Sequence, residues 1–234
     1  MNDSEFAIET HGLSKEYADR VVLRQIDLAL AGGQIVCLMG GNGAGKTTLL
    51  CCLASLMRPT AGEVRWFGRR AADVPSARRW VGMVAHESRL YPQLTLRENL
   101  VFSGRMYGID QPLSAANRWL VEMNMSKHAD RFPMHVSRGM RQRISLARGL
   151  LHEPHILLLD EPFAGLDDAG TIWLTERLHR LRDAGRLVCL TTHDAAKATQ
   201  LADRVWVLRR GRLCPVSQCG EPVAIRRGRP ARVA

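Results

Sequence analysis

The stretch Gly40-Gly41-Asn42-Gly43-Ala44-Gly45-Lys46-Thr47 decides the fold that this sequence predicts. An apolar run at 35–39 precedes it with the length of a buried strand, and the run 48–53 after it begins as a helix. A strand, a glycine-rich loop and a helix are the context that the pattern G-x-x-x-x-G-K-[ST] requires. Glycines let backbone N–H groups turn inward around phosphate oxygens, and the helix N-terminus adds partial positive charge. The stretch therefore predicts a phosphate-binding loop rather than a glycine-rich turn that binds nothing.

Two side chains of this loop have distinct expected tasks. Lys46 supplies a positive point charge for the outer phosphates, and the Thr47 hydroxyl is placed to ligate Mg²⁺. We therefore expect a nucleoside triphosphate and Mg²⁺ as ligands.

Composition and charge limit the class of protein. The chain has 234 residues, of which 46% are hydrophobic and 24% charged, which suits one domain or a core with an insert. No apolar run approaches the roughly 18 residues that a membrane-spanning helix needs, and the acidic start at 1–5 is unlike a secretory signal. We therefore expect a cytoplasmic protein.

The net charge of +10 invites a nucleic-acid interpretation, but it decides little. The basic residues are dispersed except for arginines at 226–232, in a segment rich in glycine and proline. We expect a basic, disordered tail at 220–234 and no specific nucleic-acid partner. The cysteines agree with a reducing compartment, since four of the six lie in apolar segments and read as small core residues: Cys37, Cys51, Cys52 and Cys189.

The order of the predicted elements gives the fold class. Short apolar strands at 156–159, 187–191 and 205–208 alternate with helices at about 167–183 and 195–202, which predicts a parallel sheet with helices on both faces. Residues 5–31 alternate like strands, with expected breaks at Gly12 and at a turn near 17–20. We therefore predict an α/β protein with a P-loop NTPase (RecA-like) core, an N-terminal antiparallel β subdomain, and a helical subdomain inserted at about 88–152. All of this forms one domain, 1–219.

A second motif is the apolar strand that ends in Asp160, Glu161 and Pro162. Parallel α/β sheets bind ligands at the carboxyl ends of their strands, so these carboxylates fall where the phosphate loop also lies. Asp160 suits Mg²⁺ held through water, and Glu161 suits a general base for an attacking water. The alternative is a strand that merely ends in a charged turn.

With these motifs in this order, the chain resembles the ATP-binding subunits of ABC transporters over about residues 5–215. The family's signature sequence corresponds to 136–140, its D-loop to 164–167, and its switch histidine to His193. By itself, the helix that starts at Ser137 would be an ordinary capped amphipathic helix, and His193 an ordinary structural histidine. The resemblance implies an ATPase that works as a homodimer, peripheral on the inner face of the cell membrane, with separate integral membrane subunits.

The resemblance also implies roles for individual residues. Tyr17 stacks on adenine, Asp160 with Thr47 holds Mg²⁺, and Glu161, His193 and Lys46 are catalytic. Ser137 and Gly139 of the opposite protomer close over the γ-phosphate. The phosphates lie in the loop formed by Gly41, Asn42, Gly43, Ala44, Gly45, Lys46, Thr47 and Thr48.

Three positions depart from the family's usual residues. Gly41 stands where proline is common, which we expect to leave the backbone donors intact. Arg138 replaces the first signature glycine. We expect its side chain to hinder close approach of the signature backbone to the ATP of the partner protomer, and its guanidinium to add positive charge beside the phosphates. His86 occupies the Q-loop glutamine position, where it either meets Mg²⁺ or its water, or only shapes the loop.

The segment 86–100 and the signature at 137–140 look like those of the ATPase of the cytochrome c maturation haem exporter, in which this histidine is usual. The narrower hypothesis is therefore haem export for cytochrome c biogenesis, with Glu87, Arg89 and Tyr91 contacting the membrane subunit. The alternatives are the ATPase of another exporter, a soluble ABC ATPase acting on a ribosome or nucleic-acid complex, and a regulatory subunit that binds ATP without turnover.

Overall fold

Two β-sheets form the framework of the molecule, and the computed structural model describes residues 5–18 and 20–216. The first sheet has four antiparallel strands in the order β2-β1-β4-β5. These strands are β1 (Phe6–Tyr17), β2 (Arg20–Ala31), β4 (Ala61–Trp66) and β5 (Arg69–Arg70). The predicted N-terminal antiparallel β region is therefore present.

The second sheet has six strands, in the order β10-β9-β3-β8-β7-β6. They are β3 (Gln34–Met39), β6 (Val81–Val84), β7 (Ile156–Asp160), β8 (Leu187–Thr191), β9 (Arg204–Arg209) and β10 (Arg212–Pro215). Every pairing is parallel except β9 with β10, which form a hairpin. Strands β7 and β8 are buried along their whole length, as expected for parallel strands covered on both faces.

Within the described residues, six α-helices accompany the sheets. They are α1 (Lys46–Leu53), α2 (Leu96–Met106), α3 (Pro112–Glu122), α4 (Arg138–Leu150), α5 (Asp168–Asp183) and α6 (Ala195–Leu201). Helix α2 begins where Thr95 and Glu98 form a capping box, and α4 begins where the Ser137 hydroxyl accepts from the N–H of Met140.

Helices α2 to α4 come between β6 and β7 in the chain, although these two strands are neighbours in the sheet. The α/β P-loop NTPase fold with an antiparallel β region and a helical insertion is thus confirmed. The domain limits, 1–219 with an insert at about 88–152, stay a prediction, and the predicted tail at 220–234 lies outside the described residues.

One expectation for the first sheet was wrong. The chain does not break at Gly12, because β1 continues through it with a shift of register against β2 between Thr10 and Leu13. Gly12 has a φ of +58°, and the carbonyl oxygen of Gly12 lies only 2.4 Å from where a Cβ on Gly62 would stand. A β-bulge therefore replaces the break that glycine suggested.

The core occupies both sides of the parallel sheet. Alternate residues of β3 point to opposite sides, so that Ile35 and Cys37 join one cluster while Val36 and Leu38 join the other. The four cysteines of the apolar segments are buried and free, as predicted. The carboxyl ends of the neighbouring parallel strands β3, β8 and β7 lie together at one end of this sheet.

Candidate functional site

The loop between β3 and α1 depends on glycine at two positions. Gly40 has a φ of +149°, and a Cβ there would lie 2.5 Å from the carbonyl oxygen of Leu208. Gly45, with a φ of +104°, is the residue from which α1 begins. Lys46 Nζ donates to the carbonyl oxygens of Gly40 (2.7 Å) and Gly41 (3.2 Å). The loop therefore curls around the lysine ammonium at the N-terminus of a helix, which is a geometry that binds phosphate.

Gly41, in contrast, does not depend on being glycine, although its carbonyl oxygen is hydrogen-bonded. A Cβ at this position would have no atom within 4 Å, and its φ is not positive. A side chain in place of Gly41 would therefore leave the loop unchanged, and the departure from proline has no steric origin.

Asp160 is held between the loop and the sheet by two threonine hydroxyls. Thr47 Oγ1 donates to Asp160 Oδ2 at 2.6 Å, and Thr191 Oγ1 donates to Oδ1 at 2.6 Å. The N–H of Glu161 in turn donates to Thr191 Oγ1 at 2.9 Å. Asp160 and Thr191 are register partners at the ends of β7 and β8. The carboxylate is thus fixed at the carboxyl edge of the sheet, beside the loop.

These residues fit a Mg²⁺ ion. Asp160 is only 2% exposed, and no salt bridge to it occurs within residues 5–18 and 20–216. A buried carboxylate without a cationic partner is costly, and a divalent cation would offset that cost. No group of three or more His, Cys, Asp or Glu side chains in the described part of the chain could hold a metal. Mg²⁺ commonly takes one or two protein oxygens, with water and phosphate completing its shell.

Glu161 and His193 form a second pair at the same edge. Glu161 has a φ of +49°, which is unfavourable for a residue with a side chain. Its Oε2 lies 3.2 Å from Nδ1 of His193, whose ring is exposed while the carboxylate is mostly buried. A carboxylate next to an imidazole can accept a proton from water and share it with the ring.

The loop and the strand ends line one cleft of about 580 Å³. It brings together most residues that the sequence singled out for nucleotide and metal. Its lining includes Asn42, Gly43, Ala44, Gly45, Lys46, Thr47, Thr48, His86, Asp160 and Glu161, with Arg20, Val22, Ala85, Glu87 and Arg89. His86 is exposed and lines the cleft from the segment that follows β6.

Tyr17 does not line this cleft. Its hydroxyl donates to Sδ of Met57 at 2.8 Å, and the Lys15 ammonium lies 5.3 Å from its ring centroid. The wall next to the loop is formed by Arg20 and Val22 instead. The ring is partly exposed, at the end of β1.

Ser137 and Gly139 also stand apart from the cleft. A Cβ on Gly139 would lie 2.5 Å from the carbonyl oxygen of Gly165, so that the start of α4 contacts the loop after β7 directly. The side chain of Arg138 lies against Gly165 and lines a cavity of about 350 Å³ with His86, Glu87 and Arg141. The structure therefore does not bring the signature residues to the phosphate loop of their own chain.

Several side chains that sequence reasoning missed tie these parts together. Thr191 fixes Asp160, and its position opposite that residue could have been found by aligning the ends of the two predicted strands. Gln142 Nε2 donates to the carbonyl of Pro162 at 3.0 Å. Arg143 Nη2 donates to both carboxylate oxygens of Asp167, at 2.6 Å to Oδ1 and 2.8 Å to Oδ2. Arg148 donates to the carbonyl of Ser88 at 2.8 Å. No local sequence pattern predicts these last three contacts.

Comparisons with known proteins agree with this geometry. Residues 23–164 match the family model described as ABC transporter. The Nod factor export ATP-binding protein I of Bradyrhizobium sp. (strain SNU001) is 35% identical over 96% of this chain and 73% of its own. The aliphatic sulfonates import ATP-binding protein SsuB 2 of Paraburkholderia xenovorans (strain LB400) is 41% identical over 91% of this chain and 81% of its own. The chain belongs to the ABC transporter family.

This ABC transporter ATP-binding subunit has the same fold as solved structures of other ABC transporter ATP-binding proteins. The structure of an ATP binding subunit of an ABC transporter has a TM-score of 0.82, with 32% identity over 90% of both chains. The dimeric structure of a bacterial ABC transporter cassette has a TM-score of 0.81, with 26% identity over 88% of this chain and 96% of that chain. The predicted ATP hydrolase of the ABC type is thereby confirmed. Among the residues that the structure describes, no helix is long and apolar enough to cross a membrane.

Proposed function

We propose that this chain is the subunit that binds and hydrolyses ATP for an ABC transporter whose membrane-spanning parts are separate chains. The observation that carries the proposal is the linked set of Thr47, Asp160, Thr191 and Glu161 at one sheet edge, directly beside the phosphate loop. These hydrogen bonds connect the proposed phosphate-binding loop to Asp160 and to Glu161, the proposed base for the attacking water.

The residues of the cleft divide the work of hydrolysis. The loop N–H groups and Lys46 bind the phosphates. Thr47 and Asp160 would hold Mg²⁺, which would supply positive charge against the phosphate oxygens. Glu161 takes the proton of the attacking water, and His193 fixes the orientation of that carboxylate through its Nδ1 contact. Tyr17 stacks on the base at the open end. His86 lines the same cleft and would be available to a metal-bound water.

The second half of each site comes from another copy of the chain. Ser137 and Gly139 do not line the cleft of their own protomer, and the N-terminus of α4 has its signature residues on the surface. A head-to-tail pair would bring them over the phosphates of the partner. A relative of this chain has been solved as a dimer, which supports this arrangement.

The surface beside the Q-loop suits a membrane subunit on the inner face of the cell membrane. Tyr91, Phe102 and Met106 are exposed, and the rings of Tyr91 and Phe102 meet edge to face with centroids 5.0 Å apart. Glu87 and Arg89 lie in the same segment and line the nucleotide cleft. A helix of the membrane subunit that docks here would contact these apolar side chains. It would also contact the segment that contains Glu87 and Arg89, which line the nucleotide cleft.

The proposal extends to the cargo of the transporter. The segment 86–100 supports haem export for cytochrome c biogenesis, whereas the relatives named above are described as serving Nod factor export and sulfonate import. Purifying the tagged chain from gently solubilised membranes tests this. A stoichiometric polytopic protein with haem-handling partners would support haem export, and ribosomal or DNA-associated partners alone would overturn the transport role.

The substitution Glu161→Gln tests the ATPase and the paired site together. It removes the base, so we expect ATP hydrolysis to fall by about 10²–10⁴-fold. ATP would then hold two copies together, and size-exclusion with light scattering should give about twice the 26.1 kDa of one chain. The control is Glu176→Gln on the exposed face of α5, which should hydrolyse ATP like the wild type. A Glu161→Gln protein that stays monomeric with ATP, beside an active wild type, would contradict the paired site.

A further inference from the structure

The hairpin of β9 and β10 carries an unusual turn. Arg210 and Gly211 have φ values of +50° and +77°, and they connect strands that end at Arg209 and begin at Arg212. Two left-handed residues between paired strands form a type I′ turn, which favours Asn, Asp or Gly at its first position. Arginine there is a conformationally poor choice, so the turn is not optimised for stability alone.

The turn is fixed against β2. The N–H of Arg24 donates to the carbonyl of Gly211 at 2.7 Å, and a Cβ on Gly211 would lie 2.8 Å from the carbonyl oxygen of Val22. This contact brings arginines of the hairpin next to those of β2. Together they line one cavity of about 950 Å³, and we call this group the arginine rim: Arg20, Arg24, Arg209, Arg210 and Arg212.

Within residues 5–18 and 20–216, the arginine rim has no carboxylate beside it. All five side chains are exposed, and the lining of the cavity contains neither Asp nor Glu. None of the five takes part in a salt bridge within residues 5–18 and 20–216. Holding like charges together in this way costs free energy that an uncharged surface would not.

The arginine rim also opens into the nucleotide cleft. Arg20, Val22 and the loop residues Asn42, Gly43 and Ala44 line both cavities. A cleft bordered by charge of one sign focuses the electric field and raises the local concentration of an oppositely charged substrate. The phosphate loop therefore lies at the end of a positively charged approach.

We propose that the arginine rim steers the anionic nucleoside triphosphate into the cleft and so accelerates ATP association. The inference rests on the proposed function, because it takes the phosphate loop as the destination. Its effect is on the encounter, since the guanidiniums need not touch the bound phosphates. It predicts that the association rate constant depends steeply on salt while the dissociation rate constant does not.

Stopped-flow fluorescence with mant-ATP and Mg²⁺ tests this in the full chain. The test variant carries Arg209→Gln, Arg210→Asn and Arg212→Gln, in which asparagine suits the turn. The control carries Arg69→Gln, Arg78→Gln and Arg79→Gln, which removes the same net charge from exposed positions outside both cavities. At about 10 mM salt we expect the test variant to associate about tenfold more slowly than the wild type and the control. At about 1 M salt, where the Debye length is about 3 Å, the difference should vanish.

Three results would overturn the inference. They are equal association rates for all proteins at low salt, an equal slowing in the control, or a change confined to the dissociation rate. Circular dichroism melting checks that the test variant is folded, and a Lys46→Ala protein supplies the trace without binding. A wild type that does not bind mant-ATP would overturn the proposed function as well, whereas binding with equal rates overturns only the steering.

Discussion

The nucleotide half and the signature half of this chain are built in different ways. The nucleotide half is the loop at 40–48 with the ends of β7 and β8, where short hydrogen bonds join neighbouring strands and a buried carboxylate. The signature half is the start of α4 with the loop at 161–167, where Gln142 and Arg143 hold a helix end against a loop. The nucleotide half is therefore largely buried and fixed by the sheet, whereas the signature half lies at the surface of the protein.

This difference indicates what each half does. The buried half contains its own carboxylate, hydroxyl and ammonium groups, and we propose that these groups bind phosphate and Mg²⁺ without help from a second protomer. The signature half offers Ser137 and Gly139 without any phosphate-binding loop of its own chain beside them. Glu161 is the first residue of the loop at 161–167, so that a displacement of α4 would move the proposed base. We propose that the signature half contacts a neighbouring protomer and also influences Glu161 of its own chain.

The largest expected effect is on the nucleotide half. Lys46→Ala removes the buried ammonium that the loop surrounds, and we expect ATP hydrolysis to fall by about 10²–10³-fold because a positioned charge is lost. A steady-state phosphate-release assay measures this, with Lys127→Ala on the surface as the control. A loss smaller than about threefold would mean that the loop acts without its lysine.

The next effect tests whether the sheet fixes Asp160. Thr191→Val keeps the shape of the side chain but deprives Asp160 Oδ1 of its donor and the N–H of Glu161 of its acceptor. We expect the free energy of unfolding to fall by about 1–3 kcal/mol, and hydrolysis by about tenfold, because buried polar atoms lose their partners. Urea unfolding and the ATPase rate give both numbers. Thr199→Val, on an exposed helix, should change neither.

A pair of glycine substitutions sharpens the contrast between the halves. Gly139→Ala would push a Cβ to 2.5 Å from the carbonyl oxygen of Gly165, so we expect a loss of about 1–3 kcal/mol and a displaced signature half. Gly41→Ala meets open space in the nucleotide half, and its thermal midpoint should match the wild type within error. Equal melting temperatures for the two variants would refute the close contact between α4 and the loop at 161–167.

The last prediction concerns a residue outside both halves, just beyond the C-terminal end of α4. Burial lowers the pKa of His152 to about 4, and its ring stacks on Tyr107 with centroids 3.6 Å apart. Below about pH 6.5 the unfolded chain binds a proton here that the folded chain does not. Stability should therefore decrease as pH falls from 6.5 towards 4, by at most about 3 kcal/mol from this group.

His152→Phe keeps an aromatic ring against Tyr107 and removes the titration. Urea unfolding of both proteins between pH 7 and 4.5 measures the difference. We expect the advantage of the wild type at pH 7 to shrink as the pH falls. A difference that is constant with pH would show that His152 is not kept neutral by burial.

The sequence was sufficient to predict those parts of the site that are formed by consecutive residues. The loop at 40–47 and the strand that ends in Asp160 each carry their own pattern, and the element order gave the parallel sheet. Gly12 misled the prediction, because glycine permits both a break and a bulge, and only pairing with β2 and β4 decides between them.

The rest depends on contacts between distant segments. Gln142 with Pro162, Arg143 with Asp167, and the approach of the hairpin at 209–212 to β2 each require the folded chain. A single sequence gives the charge of these residues but not their neighbours. The grouping of five arginines beside the phosphate loop was therefore not predictable from composition, in which they were part of a dispersed positive charge.

The most direct test of the central claim is complementation between the two halves in a Glu161→Gln background. One protein adds Lys46→Ala and the other adds Ser137→Arg, so each is defective in a different half. With ATP, light scattering should show each alone at the 26.1 kDa of one chain and their mixture with a species of about twice that mass, because one intact composite site is restored. If the mixture stays monomeric while Glu161→Gln itself pairs, or if either double variant pairs alone, the two halves do not complete each other.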